Sequence, residues 1–149
     1  MAAAWGRAGL VVAAVLALDQ ATKALVVADL ARGDRRDLFA GIDLVHVRNT
    51  GIAFGLFDDG GAVLTAVTLA ALVLLLAYFA RHAARPFLWL PTGLLLGGAL
   101  GNLIDRAREG AVIDFLDLPL WPAFNVADVA ITAGVIALLL ALDAQRQDE

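Results

Sequence analysis

GAVLTAVTLAALVLLLAYFA, residues 61–80, runs for a full span without a charged side chain. That length and character match the roughly 20 residues that an α-helix needs to cross the hydrocarbon core of a bilayer. Working outward, three further apolar stretches of similar length appear at about 8–28, 87–104 and 124–142. Four spanning helices are therefore expected. The composition agrees: 61% of the 149 residues are hydrophobic and 17% charged, with a mean hydropathy of +0.81. Such a chain reads as an integral membrane protein with a single domain, residues 1–149, and its net charge of -4 argues against nucleic acid as a partner. Arg7 before the first apolar run resembles a secretory leader, but Asp19, Gln20 and Lys23 interrupt that run, so it is read as a permanent span.

Connections between the spans are unequal. Only residues 81–86 separate the second from the third, whereas about 29–60 and 105–123 form two long loops on the other face. The first long loop holds the charge-rich run from Arg32 to Asp37, a strand-like stretch Ile42 to Val47, the turn Asn49-Thr50-Gly51 and a second strand-like stretch, Ile52 to Phe57. A small antiparallel sheet lying on the membrane is expected there, and the Asp58-Asp59-Gly60-Gly61 junction is a candidate lid. Trp5, Trp89 and Trp121 fall near expected helix ends, the headgroup level that suits an indole. Arginines do not settle orientation: Arg7, Arg81, Arg85 and Arg146 lie on one side, and Arg32, Arg35, Arg36, Arg48, Arg106 and Arg108 on the other.

Absences narrow the chemistry. There is no cysteine and no serine, and the two histidines, His46 and His82, are separated by an expected span, so thiolate metal sites, Ser and Cys nucleophiles and a paired-histidine zinc site drop out. Neither metal nor cofactor is called for, and carboxylates are left as the hydrolytic groups. Asp114, in Val112-Ile113-Asp114-Phe115, and Asp128, opening the last apolar segment, are the natural pair. Each has a plainer reading, Asp114 as a solvated loop acid and Asp128 as a helix N-terminal acid, with Asn125 as a cap. Asp19 and Lys23, four apart on one helical face, suit an internal ion pair. Gly97, Gly98 and Gly101 suit close helix packing, while Asn102, Asp105 and Arg106 are spaced to share a face, where Asp105 could hold Arg106.

Taken together, Asp19-Gln20-Ala21-Thr22-Lys23, Asn49-Thr50-Gly51-Ile52-Ala53-Phe54-Gly55, Gly97 to Arg106, Val112 to Phe115 and Phe124 to Asp128 resemble, in order, the motifs of the lipoprotein signal peptidases, also called signal peptidase II. The resemblance spans nearly the whole chain. It implies a mainly α four-helix membrane bundle with a small antiparallel sheet and a short helix on the extracytoplasmic face. It further implies an aspartic endopeptidase of the bacterial inner membrane, both termini cytoplasmic, that cuts beside the diacylglyceryl-modified cysteine of prolipoproteins. On this resemblance Asp114 and Asp128 are catalytic. Asn49, Gly51, Phe54, Gly98, Asn102, Arg106 and Asn125 bind substrate or support the site, and Asp19 with Lys23 is structural. The expected partners are diacylated prolipoprotein and membrane lipids, with the enzyme a monomer. The competing readings from the residues alone are a small proton- or ion-coupled transporter and a non-enzymatic assembly factor.

Overall fold

The structure, a computed structural model, describes residues 1–51 and 60–147. Four long helices, α1 (Ala2–Asp29), α2 (Gly60–His82), α3 (Trp89–Glu109) and α4 (Val126–Gln147), are joined by a four-stranded antiparallel sheet of β1 (Arg35–Phe39), β2 (Ile42–Asn49), β3 (Val112–Leu118) and β4 (Trp121–Phe124), ordered β1-β2-β3-β4. Within α1, α2 and α4, the stretches Ala2–Asp29, Gly61–His82 and Val126–Ala144 are long and apolar enough to cross a membrane. Their outward residues form an apolar surface suited to lipid. Leu10, Leu25, Val63, Leu74, Leu139 and Leu140 are each more than half exposed, a display that suits hydrocarbon and that a monomer in water would not tolerate.

The third apolar stretch forms the innermost helix. α3 runs on past Ile104 to Glu109 and ends on Gly110, whose φ of 68° places it in the left-handed region that closes a helix. It packs against α1 and α4 along most of its length and against α2 less extensively. Glycine makes this approach possible. A Cβ on Gly93 or Gly97 would stand 2.6 or 2.8 Å from the Cβ of Val11 or Val15, and one on Gly98 would stand 2.5 Å from the carbonyl oxygen of Ala127. Small residues at these spacings let backbones meet where lipid offers no hydrophobic drive to association.

The sheet departs from the expected pairing. β2 pairs with β1, formed from part of the charged run expected as loop, and with β3 through Val47↔Asp114 and Arg48↔Ile113. Charge did not prevent the strand because Arg35 reaches Asp43 on β2 and Asp117 on β3, so the ladder carries its own counter-ions. The expected second long loop is likewise built from the last turn of α3 and the β3-β4 hairpin. Ile52 to Phe57, Phe54 among them, and Asp58 and Asp59 lie outside the described residues, while Gly60 and Gly61 begin α2. Among the described residues no separate short helix stands beside the four long ones. Trp5 lies edge-on to Phe79 and Trp89 lies beneath Arg7, both at helix ends, but Trp121 is on β4. The sheet docks on the helices through Phe115, which packs on Val26 and Leu30 at the end of α1.

Gly98→Ala should destabilise the protein by about 1–3 kcal/mol through overpacking against α4. Gly9→Ala, with nothing within 4 Å of its added Cβ, should not. Thermal unfolding in detergent compares the two, and equal melting temperatures would contradict the close approach.

Candidate active site

Asp114 and Asp128 come from different elements and meet at one asparagine. Asp114 sits on β3, 1% exposed, in a run of four buried residues from Val112 to Phe115, so the loop-acid reading fails. Asp128 lies in the first turn of α4 and is partly exposed. Between them is Asn125, fully buried. Its Nδ2 donates to Asp114 Oδ1 at 2.7 Å, and its backbone N–H donates to Asp128 Oδ2 at 3.1 Å. The Asp128 N–H returns a hydrogen bond to Asn125 Oδ1 at 2.9 Å. Asn125 and Asp128 thus form a reciprocal capping box at the start of α4, so the helix-terminus reading of both residues is correct in geometry. It is compatible with chemistry, because Asp128 also lines an open groove.

Two more asparagines complete the carboxyl surroundings. Asn102 Nδ2 donates to Asp128 Oδ1 at 2.9 Å, while its Oδ1 accepts from Lys23 Nζ at 3.1 Å and Asn125 Nδ2 at 3.2 Å, which fixes the amide's orientation. Asn49, expected to bind substrate or to support the site, donates to Asp114 Oδ2 at 2.9 Å. Its Oδ1 accepts from the Gly51 N–H at 2.8 Å, an Asx turn that needs the positive φ of 79° at Gly51. Burial raises the Asp114 carboxyl from its ordinary 3.8 to about 6. The Asn49 hydrogen bond opposes this, the Asp128 charge adds to it, and Asn125 and Lys23 oppose it. The folded state therefore holds this proton more tightly than the unfolded chain. The stability it brings is present in full below about 3.8 and is lost as pH rises toward about 6.

Beneath the pair lies a charge cluster larger than the expected ion pair. Lys23 Nζ is 2.9 Å from Asp19 and 2.7 Å from Asp105, with all three side chains almost wholly buried. Asp105 therefore does not hold Arg106. Gln20 donates to Asp19 and to Asp105 at 3.1 and 3.0 Å. The two carboxylates also grip the polypeptide. Asp19 Oδ1 accepts from the Ala127 N–H at 2.9 Å and Asp105 Oδ2 from the Ile113 N–H at 3.1 Å, the residues just before Asp128 and Asp114. Sequence reasoning missed Gln20 and the role of Asp105. Asp19, Gln20 and Lys23 together interrupt the first apolar stretch, but Asp105 falls just past the end of the third, and nothing local in the sequence joins it or the Gln20 amide to Lys23.

Gly98 meets the backbone of α4 one residue before Asp128 and so acts by fit. Arg106 parts from Asn102 and Asp105. It lines a cavity of about 450 Å³ with Gly61, Thr65, Leu69 and Gly110, and its buried Nε has no hydrogen-bond partner among the described residues. Among the described residues no cluster of His, Asp or Glu has the makings of a metal site. Two grooves open on the bundle, and the first of them reaches the pair. One of about 380 Å³ starts at Asp128 and continues along Val129, Thr132 and Ile136 beside Trp121 and Phe124. The other, about 600 Å³ and almost wholly apolar, lies between α2, α3 and α4 around Leu72, Leu75, Leu95 and Ile131.

Residues 11–143 match a family model described as signal peptidase (SPase) II. The lipoprotein signal peptidase of Moorella thermoacetica is 46% identical over 126 residues, covering 83% of this chain and 84% of that protein. That of Syntrophomonas wolfei is 44% identical over 137 residues, covering 90% and 92%. A solved structure described as "Bacterial membrane enzyme structure by the in meso method at 1.9 A resolution" superposes with a TM-score of 0.85 at 32% identity, covering 92% of each chain.

With two carboxylates on Lys23, deleting only Asp19 and Lys23 would leave Asp105 unpaired. Lys23→Met alone should cost about 3–5 kcal/mol, because it strands two buried carboxylates. Adding Asp19→Asn and Asp105→Asn, which neutralises the cluster but keeps acceptors for the Ala127 and Ile113 N–H groups, should recover much of that loss. Unfolding in detergent measures both, and a triple variant no more stable than the single one would contradict the cluster account.

Proposed function

The chain belongs to the signal peptidase II family and is an aspartic protease, and from that premise we propose that Asp114 and Asp128 form its catalytic dyad and cut diacylglyceryl-modified prolipoproteins. Removal of signal peptides from prolipoproteins is the work of the family. The observation that carries the finer reading is the place of Asp128: a carboxylate at the head of a groove whose remaining walls are almost wholly apolar. A peptide bond presented there would have apolar walls beside it for the acyl chains of an adjoining lipidated cysteine. Polar groups gather at one end of the bundle instead of forming a file across it, which favours a protease over a transporter.

In the mechanism, Asp128 is the base. Donors surround it, the Asn102 amide and the Asn125 backbone N–H, and it stands at the positive end of the α4 dipole. It takes a proton from water as the water oxygen adds to the scissile carbonyl. Asp114, whose proton burial retains up to about pH 6, donates a hydrogen bond to the developing oxyanion and then its proton to the leaving amine as the C–N bond breaks. Asn125, bonded to both, holds the carboxyls in register. Arg106, with donor capacity to spare above its cavity, is placed to bind substrate backbone carbonyls. In the cell, both termini face the cytoplasm of a bacterial inner membrane and the dyad faces outward, with the enzyme acting as a monomer.

Purified protein incubated with a diacylated and a non-acylated precursor should cut only the first, on the N-terminal side of the modified cysteine, as read by mass. Asp114→Asn and Asp128→Asn, nearly isosteric, should each lower cleavage by about 100-fold or more while the protein stays folded. Full cleavage by either variant would sink the dyad. The pH profile gives an independent check. With Asp114 as the acid, kcat/KM should fall as pH rises through about 6. Asn49→Ala, which removes a hydrogen bond that lowers this carboxyl's pKa, should move that limb to higher pH. A limb that does not move, or moves down, would take the acid role away from Asp114.

A further inference from the structure

Two turns of the sheet are built against ordinary preference. The β1-β2 turn holds Ala40 at φ 51° and the β3-β4 turn holds Leu120 at φ 66°, the left-handed region that L residues with side chains seldom occupy. Polar or glycine residues are the usual choice at such positions. Here the turns carry apolar ones: Phe39 is 69% exposed, Trp121 66%, and Leu120 entirely so. Nothing among the described residues covers them. A leucine fully exposed among the described residues, in a conformation it disfavours, points to a partner outside the chain.

The register places both turns together. β2 and β3 pair through Asp43↔Asp117, so the turn entering β2 and the turn leaving β3 lie at the same end of the sheet. A Cβ on Gly41 would be 3.4 Å from Pro119 Cγ, ordinary contact between the two turns. The charged network of Arg35 with Asp43 and Asp117 lies just behind them, so an apolar edge is backed by a polar body. That edge is also continuous with the surface α4 shows to lipid. Leu118 and Trp121 share the wall of one groove with Val129, Ala133 and Ile136, and Val129 and Ile136 are among the half-exposed residues of a helix long and apolar enough to span.

We propose that the paired turns around Phe39 and Leu120 form a membrane anchor, dipping into the headgroup and acyl boundary of the leaflet that surrounds the outer end of α4. Bilayer lipid is the occupant. Continuity with the lipid-facing side of α4 selects it over a second protein, and the polar body behind the turns limits the depth. Amphipathic elements held at an interface sit about 5–10 Å into that boundary, and the same depth is expected for the two tips. An anchor there would hold β3, and Asp114 with it, at the membrane surface.

The absence of cysteine makes the test direct. Leu120→Cys, Phe39→Cys and, as a control on the exposed loop after α1, Arg32→Cys each give a protein with one thiol for an environment-sensitive fluorophore. Cysteine is an L residue like leucine, so the backbone of residue 120 is asked for nothing new. The proteins are reconstituted in vesicles of phosphatidylcholine and phosphatidylglycerol. Labels at 120 and 39 should emit at shorter wavelength than at 32, be quenched by lipid spin-labelled near the top of the acyl chain, and resist aqueous iodide. Unlabelled protein gives a second reading: with Trp5→Phe and Trp89→Phe, Trp121 alone should be quenched by brominated lipid. Iodide access at 120 and 39 equal to that at 32, or a Trp121 indifferent to brominated lipid, would overturn the anchor. Capture of a second copy, seen as label-to-label energy transfer that falls on dilution with lipid, would overturn it as well.

Discussion

A single ammonium group organises the polar half of this molecule. Lys23, the only lysine in the chain, lies between Asp19 and Asp105 deep in the bundle, where an uncompensated charge would cost several kcal/mol. The cluster is a tripod more than a stabilising bond. Asp19 brings α1 to the N-terminus of α4 through Ala127, and Asp105 ties the end of α3 to β3 through Ile113. The backbone just before each candidate catalytic aspartate is thereby fixed from the same point. Buried ion pairs are weak evidence of net stability, but a position set by two charged hydrogen bonds is hard to shift. Gly101 shows how closely the parts fit, since a Cβ there would lie 2.6 Å from an Asp19 carboxylate oxygen.

Above the tripod, Asn125 makes two carboxyls into one site. Its amide donates to Asp114, and its main chain exchanges hydrogen bonds with Asp128 in a capping box. The same bonds therefore start a helix and hold the pair, so capping and catalysis are not rival explanations of Asp128. The environments of the two acids still differ. Asp114 is enclosed by strand and helix, and desolvation holds its proton. Asp128 opens on a groove and is met by donors at a helix N-terminus. Unequal surroundings for neighbouring acids are how one scaffold keeps an acid and a base side by side.

Much of this was legible in the sequence because it rests on local pattern. The span at 61–80 follows from its length and lack of charge, and the four-residue spacing of Asp19 and Lys23 gives their ion pair. The glycines of α3 announce close packing by their spacing alone. What was hidden depends on partners distant in sequence. The run Arg35 to Phe39 reads as loop until Asp117, far along the chain, supplies the counter-ion that lets Arg35 sit in a strand. Asp105 looks like a neighbour for Arg106 until the bundle brings Lys23 to it. Gln20 is silent in sequence because a lone amide has no periodicity, and Asn49 could be placed on substrate or on Asp114 with equal ease until β2 and β3 paired.

The third helix explains why hydropathy alone ranks it lowest while the fold needs it most. In lipid, the surface of a bundle is the apolar side, so a helix surrounded by other helices is released from the need to be apolar. α3 uses that freedom. Glycines along it admit α1 and α4 at short range, and Asn102 and Asp105 turn inward to Lys23, Asn125 and Asp128. α1 and α4 each give one face to this core and the rest to hydrocarbon, and α2, which packs less extensively, leaves the large apolar groove at its side. The least hydrophobic helix is central because the polar groups it carries must be kept from lipid, and the most hydrophobic one stands at the edge, beside the large apolar groove.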